Sequence, residues 1–137
     1  MKKSLSILLC SACLLCSSCK KYIQQQEQNA LVSIVTNGVW VVTRYLDNGT
    51  DITPSFSGYI FRFNTNGTVT GTVGSTTTNG TWSGDINTKT IVSNFPLAGD
   101  PLQKLNHTWK ITDSYVDSVA ANTTTDSTVN VLNLKKQ

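Results

Sequence analysis

At 137 residues the chain has room for one domain and not two. Its 11 Lys and Arg against 8 Asp and Glu lack the electrostatic footprint of a protein that binds nucleic acid or an anionic membrane surface by bulk charge. Thr, Asn, Ser and Gly are abundant and Glu is scarce, which favours strands and turns over helices.

The chain opens with the positive Met1-Lys2-Lys3, followed by an apolar run over residues 5–16. That run is shorter than the roughly 20 residues needed to span a bilayer, and small residues lead from it to Cys19, the layout of an export signal. Ser17-Ser18-Cys19 resembles the lipobox of bacterial lipoproteins, although Cys16 stands three before the Cys, where Leu is usual. The resemblance implies that Cys19 becomes the mature N-terminus, its thiol carrying diacylglycerol and its amine a fatty acid such as palmitate. Cys10-Ser11-Ala12-Cys13 is a competing box, but its apolar run would shrink to about six residues, short of the roughly 7–15 expected. Bulky Leu15 disfavours Cys16. A secretory signal without lipid and an uncleaved anchor are the remaining alternatives.

On the lipoprotein reading, residues 1–18 are the signal peptide, 19–29 a lipid-anchored tether and 30–137 the domain. All four cysteines lie between Cys10 and Cys19. Cleavage removes three and acylation consumes the fourth, leaving no disulfide and no thiol for catalysis or metal ligation.

Residues 20–29 are polar and Gln-rich, and ten extended residues could reach about 33–36 Å. Ala30, Leu31, Ile34 and Val35 predict a short helix that stops at Asn37-Gly38. A β-branched and aromatic strand over 39–46 then meets the Asn48-Gly49 turn. Residues 58–64 alternate, with Tyr59, Phe61 and Phe63 on one face and Ile60 and Arg62 on the other. Asn66-Gly67 predicts a hairpin to a strand over 68–73, with Val69, Gly71 and Val73 inward. Asn79-Gly80 predicts another turn, into residues 81–84. Further strands are expected over 89–95, 107–112, 115–119 and 129–134. Residues 96–105 form the longest irregular connection, and residues 122–126 read as a polar loop.

Eight or so short strands joined mostly by hairpins predict an all-β fold, a single antiparallel up-and-down β-barrel preceded by a short N-terminal helix. No helix of crossover length intervenes, which excludes a parallel α/β sheet. Gly38-Val39-Trp40, placed between helix and first strand, resembles the G-x-W motif of lipocalins. The aromatic strand 59–63, Gly80-Thr81-Trp82 and Trp109-Lys110-Ile111 are similar to compact lipocalin-like lipoproteins of diderm bacteria. The resemblance covers roughly residues 30–135 and implies a barrel whose Trp40 packs across its closed end. Lipocalins usually lay an Arg over that Trp. No Arg follows Arg62 here, and Lys110 or Lys135 would substitute only partly, lacking a planar group.

Such a barrel is either filled by its own side chains or holds one small ligand. The candidate interior is Trp40, Val42, Tyr59, Phe61, Phe63, Trp82, Ile91 and Trp109, with Phe95 also facing inward. Gly58, Gly71 and Gly84 either leave room for a ligand, lined by Trp40, Phe61 and Trp82, or mark bends of the wall. His107 is the only histidine, and no second strong nitrogen or sulfur ligand accompanies it for zinc. Asp47, Asn48 and Asp51 lack EF-hand spacing and read as a solvated hairpin tip. No G-x-S-x-G elbow is present, and no Glu follows Glu27. The expectation is therefore not an enzyme, with no cofactor. Only a cleft joining Asp85, Asp100 or Asp113 to His107 would revive catalysis. The Asn-x-Ser/Thr triplets at Asn48, Asn66, Asn79, Asn106 and Asn122 read as turn chemistry. Asp117-Ser118-Val119 and Asp126-Ser127-Thr128 resemble an O-glycosylation pattern of some diderm bacteria.

Two functions follow as expectations. The first is a monomeric lipoprotein on the periplasmic face of an outer membrane, binding a small hydrophobic ligand and no nucleic acid. The second is a filled barrel that serves as a protein-interaction or envelope-accessory module.

Overall fold

The computed structural model describes residues 13–123 and 129–137. The charged start and most of the apolar run of the expected export signal lie outside the described residues, as do the Asp126-Ser127-Thr128 triplet and residues 124–126 of the expected loop.

Helix α1 spans Cys13–Thr36. The expected extended tether over 20–29 is thus helical. Its Gln, Lys and Glu are good helix formers, and i,i+4 bonds reinforce it: Gln26 Nε2 donates to Tyr22 Oη at 2.8 Å and Gln25 Nε2 to Asn29 Oδ1 at 3.0 Å. The helix ends as expected, at Gly38 with φ +103°, a conformation that costs glycine little.

Among the described residues nine strands form one antiparallel sheet: β1 Trp40–Asp47, β2 Thr50–Asp51, β3 Tyr59–Phe63, β4 Thr68–Val73, β5 Thr76–Asp85, β6 Thr90–Asn94, β7 His107–Ser114, β8 Ser118–Thr123 and β9 Val131–Lys136. β1 pairs with both β3 and β9, which closes β1 and β3–β9 into an eight-stranded barrel and leaves β2 as a short flap. Closure removes the two free edges that an open sheet would expose. Each strand sends alternate residues inward, so Trp40, Phe61, Phe63, Val69, Trp82, Trp109, Ala121 and Leu132 meet in one core.

The turns obey local chemistry with one exception. Asn48 (φ 49°) and Gly49 (φ 83°) both adopt the positive φ of a type I′ hairpin. Gly67 alone is positive in the next turn (φ 82°), while the Asn66 side chain accepts from Thr68 N at 3.1 Å. Asn79-Gly80 is not a turn. It lies inside β5, and the reversal falls at Gly74 (φ 57°), with Val73 opposite Thr76. Gly80 is there for space: a Cβ on it would lie 2.5 Å from Asn94 O and 2.8 Å from Phe95 Cδ1. The strand expected over 115–119 also starts later, because Tyr115 N donates to Ser118 O at 2.8 Å and makes a turn of the intervening residues.

Both mouths of the barrel are covered. At one, the last turns of α1 bring Leu31, Val32 and Val35 against the core. At the other sit the 3-10 turns Thr53–Phe56 and Leu102–Leu105, which insert Phe56, Leu102 and Leu105. Tyr45 anchors that end. Its ring stacks on Phe56 at 5.3 Å and meets Trp109 edge-on at 5.8 Å, and its hydroxyl donates to Lys104 O.

Candidate functional site

The barrel axis holds a cavity of about 50 Å³. Of the expected interior residues, Trp40, Phe61, Phe63, Ile91 and Trp109 line it, together with Phe95. Val42, Tyr59 and Trp82 face inward but do not reach it. Tyr59 stacks on Phe61 at 6.0 Å, nearer the 3-10 turns. Trp82 meets Phe63 edge-on at 5.4 Å and donates Nε1–H to Asn64 O at 2.9 Å, so it seals the wall beside α1.

Four lining residues come from the last strands: Val119, Ala121, Leu132 and Leu134. Leu132 and Leu134 sit two apart in the strand expected over 129–134 and so share a face, whereas Ala121 carries no pattern signal of its own. Ser93 is the one polar side chain on the wall, and its hydroxyl is turned to Leu105 O. The lining offers a ligand almost nothing but carbon.

The strand glycines do not open this space. A Cβ on Gly71 would meet Leu102 Cδ2 at 3.0 Å and Phe61 Cε1 at 3.2 Å, and one on Gly84 would meet Leu31 Cδ2 at 3.2 Å. Leucines of the two caps already occupy what the glycines leave. Gly58 lies just before β3, at φ +80°, and serves the bend. The cavity sits between the caps, and its edges are Val35 of α1 and Leu105 of the second 3-10 turn.

No family model matches the chain, and no curated protein matches it. A solved structure does. A DUF4847 family protein from Bacteroides vulgatus superposes with a TM-score of 0.59, covering 78% of this chain and 99% of that one at 16% identity. At that identity the likeness is one of fold, and it supports the barrel.

Trp40 stands where the chain passes from α1 into this barrel. It is almost wholly buried, and its Nε1–H donates to Val35 O at 2.9 Å. The cation over it is Lys136, with Nζ 5.1 Å from the ring centroid. Neither Lys110 nor Lys135 takes that place: Lys110 Nζ donates to Thr88 O, and Lys135 is exposed.

The polar candidates are engaged in the scaffold. His107 is half-buried, edge-on to Trp109 at 5.4 Å, with Nε2 3.4 Å from Asn130 Nδ2. Asn130, itself buried, also accepts from Asn48 N at 2.9 Å and donates its N–H to Thr123 Oγ1 at 3.1 Å, which pins the β1–β2 hairpin to the end of β8. Asp85 caps its own turn through Asn87 N and Thr88 N, and Asp113 accepts from Ser114 N. Asp47 pairs with Lys104 at 2.8 Å. The bond to Asp47 and its negative charge raise the Lys104 ammonium above its ordinary pKa. Asp51 accepts from Thr53 N at 2.9 Å, and bonds from the Thr53 side chain and backbone lower its carboxyl. Burial, with smaller contributions from Asp47 and Asp100, pushes the Tyr45 hydroxyl well above its ordinary value.

Cys19 is exposed on α1. No described helix is long and apolar enough to cross a membrane.

Proposed function

We propose that this protein is a lipid-anchored envelope lipoprotein, tethered at Cys19, whose barrel is a filled module acting through its outer surface. The observation that carries the reading is the size of the interior. About 50 Å³ falls far short of the roughly 300–1,000 Å³ of pockets that bury a drug-sized ligand. Leu31 and Leu102 take up the room behind the glycines, and α1 and the 3-10 turns lie over the two mouths. The anchor reading rests on the signal layout and on the exposure of Cys19, which leaves its thiol open to acylation. A place on the periplasmic face of an outer membrane is part of the same proposal. No catalytic role belongs to it, since His107 is committed to Asn130 and Trp109.

A second reading has an observation of its own. The cavity lining is apolar apart from Ser93, so the interior suits a small hydrophobic ligand once one of the caps yields. An apolar cavity of about 150 Å³ is enough for benzene, so that ligand must bring its own space by displacing Val35 or Leu105.

Native mass spectrometry of the intact protein, released from membranes in mild detergent, separates the two. Acyl mass on Cys19, with no further adduct and no shift across a panel of fatty acids, is the expected result. An added mass lost on organic extraction would move the assignment to the carrier. Unmodified Cys19 would remove the anchor.

A further inference from the structure

We propose that the barrel seats itself on an anionic leaflet by the end that carries α1, with Tyr115 and Val116 of the β7–β8 turn entering the headgroup layer. The proposal rests on the lipoprotein reading and adds to it an orientation and a contact surface.

Two exposed apolar pairs lie toward that end. On α1, Tyr22 and Ile23 are 67% and 56% exposed, three and four residues from Cys19. On the β7–β8 turn, Tyr115 and Val116 are 65% and 73% exposed. The turn is tied to the base of the helix: Lys136 N donates to Asp117 O at 2.8 Å, and Gln137 N to Val39 O at 3.0 Å. The turn, the end of β9 and the α1–β1 corner therefore form one contiguous rim. A tyrosine suits a membrane boundary, with an apolar ring and a wet hydroxyl.

The leash is short. Gln28 clamps α1 to the β5–β6 turn, with Nε2 donating to Gly84 O at 2.8 Å and Oε1 accepting from Ile86 N at 3.0 Å. Nine helical residues from Cys19 to Gln28 rise only about 14 Å. An acylated Cys19 thus holds the α1 end of the barrel close to the bilayer, at the β5–β6 side of its mouth. A flexible tether of the same length would let the barrel turn either end toward it.

Charge agrees with the geometry. The near-balance of the whole chain hides an uneven distribution. Lys20, Lys21, Lys135 and Lys136 lie on α1 or at the strand end beside it, Lys89 lies in the β5–β6 turn, and Lys110 reaches that turn through its bond to Thr88 O; together they outnumber Glu27, Asp85, Asp113 and Asp117. At the opposite end Asp47, Asp51 and Asp100 outnumber Arg44 and Lys104. Basic groups held within a Debye length of anionic headgroups, about 8–10 Å, attract them. The acyl chains on Cys19 supply the anchor by themselves, and a basic, apolar rim beside them adds the attraction that sets which end of the barrel faces the leaflet.

The opposite end offers an internal control in Leu97, which is 96% exposed. Every native cysteine lies within residues 10–19, so Val116→Cys or Leu97→Cys introduces the sole free thiol of the acylated protein. Each variant, labelled with an environment-sensitive fluorophore, goes into phosphatidylethanolamine–phosphatidylglycerol vesicles. The expected result is a blue shift and a several-fold loss of iodide quenching at position 116, with neither at 97. Both should weaken in high salt and in Lys20→Glu/Lys21→Glu. Equal quenching at both positions in an acylated, vesicle-bound protein overturns the orientation and leaves the anchor standing. Unmodified Cys19 in a protein that washes off the vesicles overturns both. Protection of position 116 in native envelopes but not in pure vesicles assigns the turn to a protein partner and also overturns the proposal.

Discussion

Lys136, at the end of the last strand, lies over the ring of Trp40, at the start of the first, with Nζ 5.1 Å from its centroid. Trp40 in turn bonds Val35 O, so one stack joins α1, β1 and β9 where the barrel closes. A cation–π contact of this kind contributes about 0.5–2 kcal/mol. Lys136→Ala should lower unfolding free energy by about that amount in urea melts, while Lys136→Arg should keep it, because a guanidinium stacks on the ring at least as well. Equal losses in the two variants would show that the charge over the ring is idle.

Gly80 tests the β5 register. Gly80→Ala forces a methyl to within 2.5 Å of Asn94 O, a backbone atom that cannot swing aside, and overpacking of this sort costs about 1–3 kcal/mol or more. Gly99, with nothing within 4 Å of its would-be Cβ, is the control. Gly99→Ala should leave the thermal midpoint nearly unchanged. If residues 79–80 formed a turn, Gly80→Ala would be as mild as Gly99→Ala.

The cavity makes opposite predictions for addition and removal of volume. Ala121→Val adds two methyl groups to a wall of the 50 Å³ cavity and should be neutral or stabilise by up to about 1 kcal/mol. Leu132→Ala enlarges the same space and should cost about 2–5 kcal/mol. Chemical denaturation measures both. A marked loss of stability in Ala121→Val would mean that the interior has no spare room at all.

Tyr45 and Lys104 set the alkaline limit. The folded-state pKa of each is raised, Tyr45 by burial and Lys104 by its bond with Asp47. Above about pH 10 the unfolded chain releases protons that the folded one retains, so stability is full below that pH and falls as pH rises. Tyr45→Phe loses the hydrogen bond to Lys104 O at every pH, yet should flatten the decline between about pH 10 and 12. Parallel curves for the two proteins would clear Tyr45 of any part in it. Asp51 acts at the acid end with opposite sign: its lowered pKa gives stability that is lost as pH falls below the ordinary carboxylate range.

Gln28 is the hinge pin of α1. Gln28→Ala removes both bonds to the β5–β6 turn and should cost about 1–2 kcal/mol. Amide exchange over residues 20–29 should quicken while exchange in β7–β9 stays slow. Unchanged exchange in α1 would assign its hold on the barrel to the packing of Leu31, Val32 and Val35.

What could be read from the sequence were the features set by neighbours in the chain. Tyr59, Phe61 and Phe63 point inward because a strand alternates its faces every residue, whatever it pairs with. Asn48-Gly49 turns because both positions tolerate positive φ, and the inward aromatics announced an apolar core. Tertiary structure decided the rest, because it depends on what arrives from far along the chain. Gly80 is as able to turn as Gly49, but the Phe95 ring and Asn94 backbone over it hold it within a strand. Gly71 and Gly84 are compatible in sequence with room for a ligand or with bends of the wall, and Leu102 and Leu31, from the two caps, fill the space beside them. Lys136 rather than Lys110 or Lys135 covers Trp40 because barrel closure sets Trp40 opposite Lys136 across β1 and β9. Local propensity selected the strands and most of their turns. Long-range packing determined how much of the interior was left empty.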